Sequence, residues 1–175
     1  MDQDERRAGL EDLYAAHAGA VRGYLRQRTD AATADDLLSE VFVVAWRRLE
    51  KVPPDPVPWL LACARNVLAH SHRSERRRVA LIDRLRDNKR PESMPVRDGR
   101  SRLAEALATL GERDREALLL IAWDDLSPEQ AAAVLGCSRR AFAMRLHRGR
   151  KRLAAALSAA DQLDTPTTLV EACND

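Results

Sequence analysis

The sequence predicts an all-α protein made of two small helical domains joined by a flexible linker. Its 175 residues are 45% hydrophobic but only 4% aromatic, and Ala, Leu and Arg dominate, which favours helices over sheets. Apolar residues also recur three and four positions apart, as on the buried faces of amphipathic helices. No apolar run approaches the roughly 18 residues of a membrane span, so we expect a cytoplasmic protein without an integral membrane segment.

Three helices are predicted for a first domain over residues 1–80. Thr33 followed by Asp36 predicts a capping box at the start of the second helix. The prolines between positions 53 and 58 end that helix, and the third begins at the last of them, because proline fits a first helical turn. The predicted ranges are about 10–25, 37–49 and 59–78.

The stretch from Asp87 to Gly99 is polar, contains two prolines and lacks a periodic apolar face. Residues 81–100 are therefore predicted to form a linker. A second domain over residues 101–158 is predicted to contain four more helical segments. The tail, residues 159–175, is expected to be partly mobile.

The net charge of +2 is distributed unevenly, in two basic clusters. Nine basic residues lie between Arg65 and Arg90 against three acidic ones, and seven lie between Arg139 and Arg152 without an acidic one. Two separated clusters suggest two contacts with a polyanion such as nucleic acid, although one basic helix is often only a solvated face.

The three cysteines, Cys63, Cys137 and Cys173, are far apart and lack C-x-x-C spacing. They indicate neither a disulfide framework nor a zinc site. We therefore expect buried thiols, no metal site and no cofactor.

The most specific local pattern is a helix-turn-helix. Ser127 can cap a helix with Pro128 at its first position and Gln130 at its third, which together form a capping box. Gly136 suits the left-handed residue at a helix end, and Ser138 can cap the next helix at once.

The second helix of this pair, the recognition helix, places Phe142 and Leu146 one turn apart, as core residues are. Its arginines are then free to face outward. Such a helix fits the major groove of DNA, where arginine can form two hydrogen bonds to guanine. An ordinary hairpin with a basic solvent face is the alternative. The outward residues are Arg139, Arg140, Arg145, Arg148 and Arg150.

Four motifs follow one another between about Leu10 and Leu157. They are Asp35-Asp36-Leu37-Leu38-Ser39-Glu40-Val41-Phe42 with Ala45-Trp46-Arg47-Arg48-Leu49, Pro58-Trp59-Leu60-Leu61 with Ala64-Arg65-Asn66, Leu118-Leu119-Leu120 with Leu126-Ser127, and Arg145-Leu146-His147-Arg148-Gly149-Arg150. In this order, with a linker at the matching place, the chain resembles the small two-domain sigma factors of the sigma-70 family, the extracytoplasmic-function (ECF) type.

The resemblance implies a protein that is not an enzyme. It would bind core RNA polymerase, recognise two promoter elements, help to melt one of them, and be a partner of an anti-sigma factor. The second helix would dock on the clamp coiled coil of the largest polymerase subunit, although core packing is at least as compatible with Trp46. The residues implied are Asp36, Glu40, Trp46 and Arg47.

The resemblance also assigns the DNA contacts. Asn66 and the loop after it would receive a base flipped out of the minus-10 element, while Arg73, Arg76 and Arg77 hold phosphates. An amide can donate to and accept from a base edge, and melting requires a binder that recovers the cost of extruding the base. The recognition-helix arginines and His147 would contact the double-stranded minus-35 element.

The two elements lie on the order of 60 Å apart, at about 1.7 Å of DNA axis per phosphate charge. An extended segment from Val79 to Gly99 would reach roughly 70 Å at about 3.3 Å per residue, so it suffices with little to spare.

The sequence departs from the family pattern at several positions. Ser39 stands where glutamine is usual and Val44 where a basic residue is usual. In the recognition helix Ala143 and Met144 replace a polar pair, which leaves fewer hydrogen bonds for bases. Gly111 occupies a position that is commonly proline, and this difference is expected to affect only the start of a helix.

Two other functions are compatible with parts of the pattern. A helix-turn-helix regulator acting without core polymerase would need a ligand pocket or phosphorylation site in the first domain, which instead carries a basic helix. A small nuclease using His70 and His72 would need a carboxylate cluster for a metal, and these histidines lie two residues apart on a helix, facing different directions.

Overall fold

The computed structural model describes residues 2–85 and 99–163, with side chains over 2–77 and 102–159. Within those ranges the chain forms seven α-helices, one 3-10 turn (Leu49–Lys51) and no strand, which confirms the all-α class. The helices are α1 (Gln3–Arg26), α2 (Ala31–Arg47), α3 (Pro56–Leu85), α4 (Gly99–Ala108), α5 (Glu112–Ala122), α6 (Pro128–Val134) and α7 (Arg139–Leu163). Most of the predicted linker and of the tail lies outside the described residues. None of the described helices is both long and apolar enough to span a membrane.

The start of α2 differs from the prediction. The helix begins after Asp30, whose carboxylate accepts hydrogen bonds from the Thr33 backbone N–H (3.0 Å) and from the Thr33 hydroxyl (2.7 Å). These bonds hold the pKa of Asp30 below its usual value. The predicted capping box of Thr33 and Asp36 is therefore wrong, because Thr33 is already inside the first turn.

α3 is longer than predicted at both ends. It begins at Pro56 and continues to Leu85, beyond the predicted end near Arg78. Residues 79–85 are thus helical and rise about 1.5 Å each, not the 3.3 Å of an extended chain. The estimated reach from Val79 is too long for this reason.

The helix-turn-helix is confirmed in its local details. The Ser127 hydroxyl accepts from the Gln130 N–H (3.2 Å), and the Gln130 side chain accepts from the Ser127 N–H (2.9 Å), which completes the capping box of α6. Gly136 follows with φ of 59°, in the left-handed region that favours glycine. Ser138 caps α7 by accepting from the Ala141 N–H at 3.2 Å.

The core of the first domain takes one buried stripe from each of α1, α2 and α3. Val21 and Leu25 of α1, Val41 of α2, and Leu60 and Leu61 of α3 are almost completely buried. Burying such a side chain contributes about 1.5–3 kcal/mol, so these contacts hold the three helices against one another.

In the second domain, α5 and α7 meet at a glycine. A β-carbon on the buried Gly149 would lie 2.9 Å from the Asp114 carbonyl oxygen and 3.1 Å from the Leu118 side chain. Beside this contact, the buried Asp114 carboxylate accepts from Arg148 (3.3 Å) and Arg152 (3.0 Å) of α7. Close backbone packing and a shared carboxylate together fix α7 on α5.

The two domains pack against each other, with α3 lying on α6. A cleft of about 460 Å³ remains between them, lined by α1, α3, α4 and α5. Polar contacts that cross the junction include Arg28 to Asp124 (3.0 Å), Arg65 to Glu116 (3.0 Å), the Tyr24 hydroxyl to Glu116 (3.3 Å), and Gln130 to Asp55 (2.8 Å).

Gly149→Ala should destabilise the fold by about 1–3 kcal/mol, because the added methyl group must displace the α5 backbone. Gly19→Ala is the matched control. Its β-carbon position in the interior of α1 is open, so this variant should gain about 0.5–1 kcal/mol. Chemical denaturation followed by circular dichroism measures both. Equal stability of Gly149→Ala and wild type would contradict the close approach of α5 and α7.

Candidate nucleic-acid and polymerase interfaces

Three helices, α2, α3 and α7, each expose a set of side chains directly opposite the set that they bury. With 3.6 residues per turn, positions i, i+4, i+7 and i+11 share one face, and a shift of two residues leads to the opposite face. The exposed set is called the outer stripe of its helix below.

The outer stripe of α3 gathers most of the predicted minus-10 residues. It consists of Asn66, His70, Arg73 and Arg77, all exposed. The buried residues opposite are Leu60, Leu61, Ala64 and Leu68. Arg76, also predicted, is exposed beside the stripe, and its Nε donates to the His72 carbonyl oxygen at 3.3 Å.

The outer stripe of α7 contains two of the predicted minus-35 residues, Arg140 and His147. It consists of Arg140, Met144, His147 and Lys151, all exposed. The opposite side is formed by Phe142, Leu146, Gly149 and the half-buried Leu153. The exposed fraction of Met144 is 55%.

The remaining predicted residues of α7 flank this stripe. Arg139 pairs with Glu129 of α6 at 2.8 Å yet stays 74% exposed. Arg145 is half-buried, and Arg150 is exposed.

Arg148 is the flanking residue whose surroundings differ most from the expectation. The sequence suggested a guanidinium free to face outward, but Asp114 binds it, as it binds Arg152. The Asp114 side chain is only 7% exposed, so it depends on these partners for its hydrogen bonds. Arg148 thus has a structural contact in addition to any contact with DNA.

The outer stripe of α2 carries three of the four predicted polymerase-binding residues. It consists of Asp36, Glu40, Val43 and Arg47, all exposed. Trp46, the fourth, lies off the stripe and is half-buried. The Arg6 guanidinium covers its ring, 5.0 Å from the centroid, and donates to the Trp46 carbonyl oxygen at 3.2 Å. Trp46 therefore contacts α1 through Arg6, but it is not one of the buried core residues.

Sequence reasoning did not assign four members of the outer stripes to a polymerase or DNA contact: Val43, His70, Met144 and Lys151. Each lies three or four residues from a stripe neighbour and two residues from a buried one. The helical period could have found them, whereas selection by residue type and charge did not.

No group of three potential metal ligands occurs among the described residues. His70 and His72 are both exposed and point to different sides of α3, 200° apart at about 100° per residue. Cys63 and Cys137 are half-buried rather than buried, and burial raises the pKa of the Cys63 thiol. Cys173 lies outside the described residues.

Comparison with known proteins assigns both halves of the chain. The family model "Sigma-70 region 2" matches residues 13–78, and "Sigma-70, region 4" matches residues 100–153. The RNA polymerase sigma factor CarQ of Myxococcus xanthus is 33% identical over 86% of this chain and 90% of its own length. The chain belongs to the sigma-70 family of RNA polymerase sigma factors. The ECF sigma factor SigL of Mycobacterium tuberculosis is 30% identical over 79% of this sigma factor and 82% of its own length, in agreement with the ECF resemblance.

Two solved structures are similar over most of this sigma factor. RpoE from Bartonella quintana, in complex with the anti-sigma factor NepR, is 25% identical with a TM-score of 0.66, over 85% of this chain and 96% of that one. CnrH, in complex with the cytosolic domain of CnrY, is 28% identical with a TM-score of 0.61, over 86% and 88%. The sequence of CnrH from Cupriavidus metallidurans is 33% identical over 82% of each chain.

Proposed function

We propose that this sigma factor binds core RNA polymerase, recognises two promoter elements and helps to melt the minus-10 element. The observation that carries the proposal is that most of the predicted contact residues of α2 and α3, and two of those of α7, lie on outer stripes, opposite the core. Residues 1–80 are assigned to polymerase and the minus-10 element, 81–100 to the linker, 101–158 to the minus-35 element and 159–175 to a tail. The proposal requires no catalytic residue, metal or cofactor.

The outer stripe of α2 is the proposed contact with the clamp coiled coil of polymerase. Val43, whose exposed fraction is 49%, lies between Glu40 and Arg47 along this stripe, and Asp36 follows one turn beyond Glu40. An apolar centre within a polar rim is the usual arrangement of protein–protein interfaces. Trp46 contributes indirectly, since its contact with Arg6 orients α2 on α1.

The outer stripe of α3 is the proposed reader of the minus-10 element. Asn66 presents an amide that can both donate to and accept from an unpaired base. Arg73 and Arg77 lie about 10 and 16 Å further along the same face, at about 1.5 Å per residue, where they can hold the phosphates of the strand that carries this base. Arg76 adds positive charge beside them.

The outer stripe of α7 is the proposed reader of the minus-35 element. Arg140 and His147 offer donors to base edges, and Lys151 offers a charge to phosphate. The flanking Arg139, Arg145 and Arg150, with Arg148, surround this face with further positive charge. Such charge strengthens DNA binding in a salt-dependent way.

An anti-sigma factor is a further proposed partner. RpoE of Bartonella quintana is solved with the anti-sigma factor NepR, and CnrH is solved with the cytosolic domain of CnrY. Both resemble this chain over most of its length. The proposed place of action is the cytoplasm, where polymerase and promoter DNA occur together.

Run-off transcription with core polymerase on a library of genomic promoters tests the proposal. Specific transcripts should require both core polymerase and this protein. A helix-turn-helix regulator would instead bind its DNA tightly without polymerase and would produce no transcript with core enzyme alone. That outcome would overturn the proposed function.

Val43→Asp should weaken binding to core polymerase at least tenfold, because a carboxylate at the centre of the α2 outer stripe would be desolvated without a partner. Val43→Leu keeps an apolar side chain and should bind nearly as well as wild type. Met144→Asp, an equally exposed position on α7, should retain polymerase affinity when no DNA is present. Fluorescence anisotropy with labelled protein measures all three. Undiminished binding of Val43→Asp would exclude this surface from the contact.

Asn66→Ala should leave holoenzyme formation intact and lower the yield of open complexes, because the amide contacts a base only after the base is extruded. Permanganate reactivity of thymines in the melted region measures this yield. Reactivity equal to that of wild type would remove Asn66 from the minus-10 site.

A further inference from the structure

An exposed methionine stands among the basic residues of the α7 outer stripe. Four large hydrophobic side chains are exposed within the part of the chain where side chains are described, and Met144 is the one on α7. It lies one turn from both Arg140 and His147, on the face opposite the core. Neither core packing nor solubility accounts for a long apolar side chain there.

The major groove offers one apolar group to a side chain, the C5-methyl group of thymine. Met144 is flexible and polarizable, and it has no hydrogen-bond donor and only a weak acceptor, its thioether sulfur. The adjacent Ala143 is exposed as well and lacks a polar side chain. An outer stripe with this composition matches a thymine methyl better than a donor or acceptor on another base.

We propose that Met144 is a specificity-determining residue, which selects a thymine in the minus-35 element by contact with its methyl group. The inference rests on the proposed function, because it requires α7 to read the minus-35 element.

Deoxyuridine, which lacks only the C5-methyl group of thymidine, tests the contact. Wild-type holoenzyme first selects its preferred upstream sequence from randomised DNA, and each thymine is then replaced by deoxyuridine. One replacement should weaken binding about fourfold, because burying a methyl group contributes about 0.8 kcal/mol and 1.4 kcal/mol is tenfold. Met144→Ala should lose about as much on thymine DNA and nothing more on the deoxyuridine DNA. Met144→Leu should keep the discrimination.

Equal binding of wild type to thymine and deoxyuridine DNA at every position would overturn this inference. So would a Met144→Ala variant as sensitive to the replacement as wild type. The failure of the proposed function looks different, since wild type would then produce no specific transcript with core polymerase. Replacements in the spacer between the two elements provide the DNA control and should have no effect.

A second inference comes from the junction between the two domains. Arg28 and Asp124 are 3.0 Å apart, with side chains only 10% and 4% exposed. The Arg28 guanidinium also stacks on the Tyr24 ring, 3.6 Å from its centroid. Burial raises the pKa of Asp124, while Arg28 opposes the shift. Each charge of this pair therefore depends on the other for its solvation.

The same junction keeps the two proposed DNA-reading helices close together. α3 packs on α6, and α6 packs on α7. The axes of packed helices are about 8–10 Å apart, so these two successive contacts place α3 and α7 on the order of 20 Å apart. The promoter elements are on the order of 60 Å apart, so this closed arrangement cannot engage both of them.

We infer that the Arg28–Asp124 pair is an autoinhibitory latch, which holds the free protein closed until polymerase separates the domains. Arg65 contributes to the closed state by pairing with Glu116, immediately beside Asn66. Breaking the buried pair should lower the closed population at least a hundredfold relative to the open one, because removing one partner typically costs about 3 kcal/mol or more.

Small-angle X-ray scattering of the full chain tests the latch without polymerase. Wild type should be compact, and Arg28→Ala and the nearly isosteric Asp124→Asn should expand. Arg28→Met with Asp124→Leu should stay compact, because an apolar pair of similar volume can replace a buried ion pair. Arg22→Ala is the matched control, since its pair with Asp35 (2.9 Å) is exposed and joins α1 to α2 within one domain. Circular dichroism checks that each variant is folded.

The latch also predicts kinetics. Variants that are folded and expanded should form holoenzyme faster than wild type. The compact Arg28→Met, Asp124→Leu variant should form it more slowly than those expanded variants. Dimensions equal to wild type in both Arg28→Ala and Asp124→Asn would overturn the inference. Expansion without a change in the association rate would overturn the inhibitory role.

Discussion

The helical period is the physical constraint on which all three proposed contact surfaces depend. Once Leu60, Ala64 and Leu68 are buried, the face that carries Asn66 and Arg73 must point away from the core. The same coupling holds in α2 and α7. Each helix is thus oriented by its apolar residues, and the outer stripe needs no further device to position it. A one-residue insertion between core and contact residues would rotate the stripe by about 100°.

The helix-turn-helix could be predicted from the sequence because its determinants are local. Ser127, Gln130, Gly136 and Ser138 act over at most three or four residues, through hydrogen bonds and one left-handed residue that their types favour. The predicted start of α2 is wrong, and the reason is equally local. Asp30 and Thr33 are both capping residues, one turn apart, and the aspartate competes more strongly for the cap.

The partners of individual charges could not be predicted, because they join residues distant in sequence. Arg148 and Asp114 are separated by 34 positions, and Arg28 and Asp124 by 96. Counting basic residues treats every arginine of α7 as equally available. The structure divides them into an outer stripe that is free of the core and a side that binds the buried carboxylate of α5, and only packing makes that division.

The length of α3 changes how the two proposed DNA readers can be joined. From Asn66 to Leu85 the helix extends about 28 Å at 1.5 Å per residue, and the 14 steps from Leu85 to Gly99 cannot exceed about 50 Å. The sum of these two lengths exceeds the distance between the promoter elements, which is on the order of 60 Å. The chain is therefore long enough for both the closed arrangement and a bridging one. Because chain length permits both arrangements, the contacts at the domain junction determine which one the free protein adopts. The buried Arg28–Asp124 pair at this junction favours the closed arrangement.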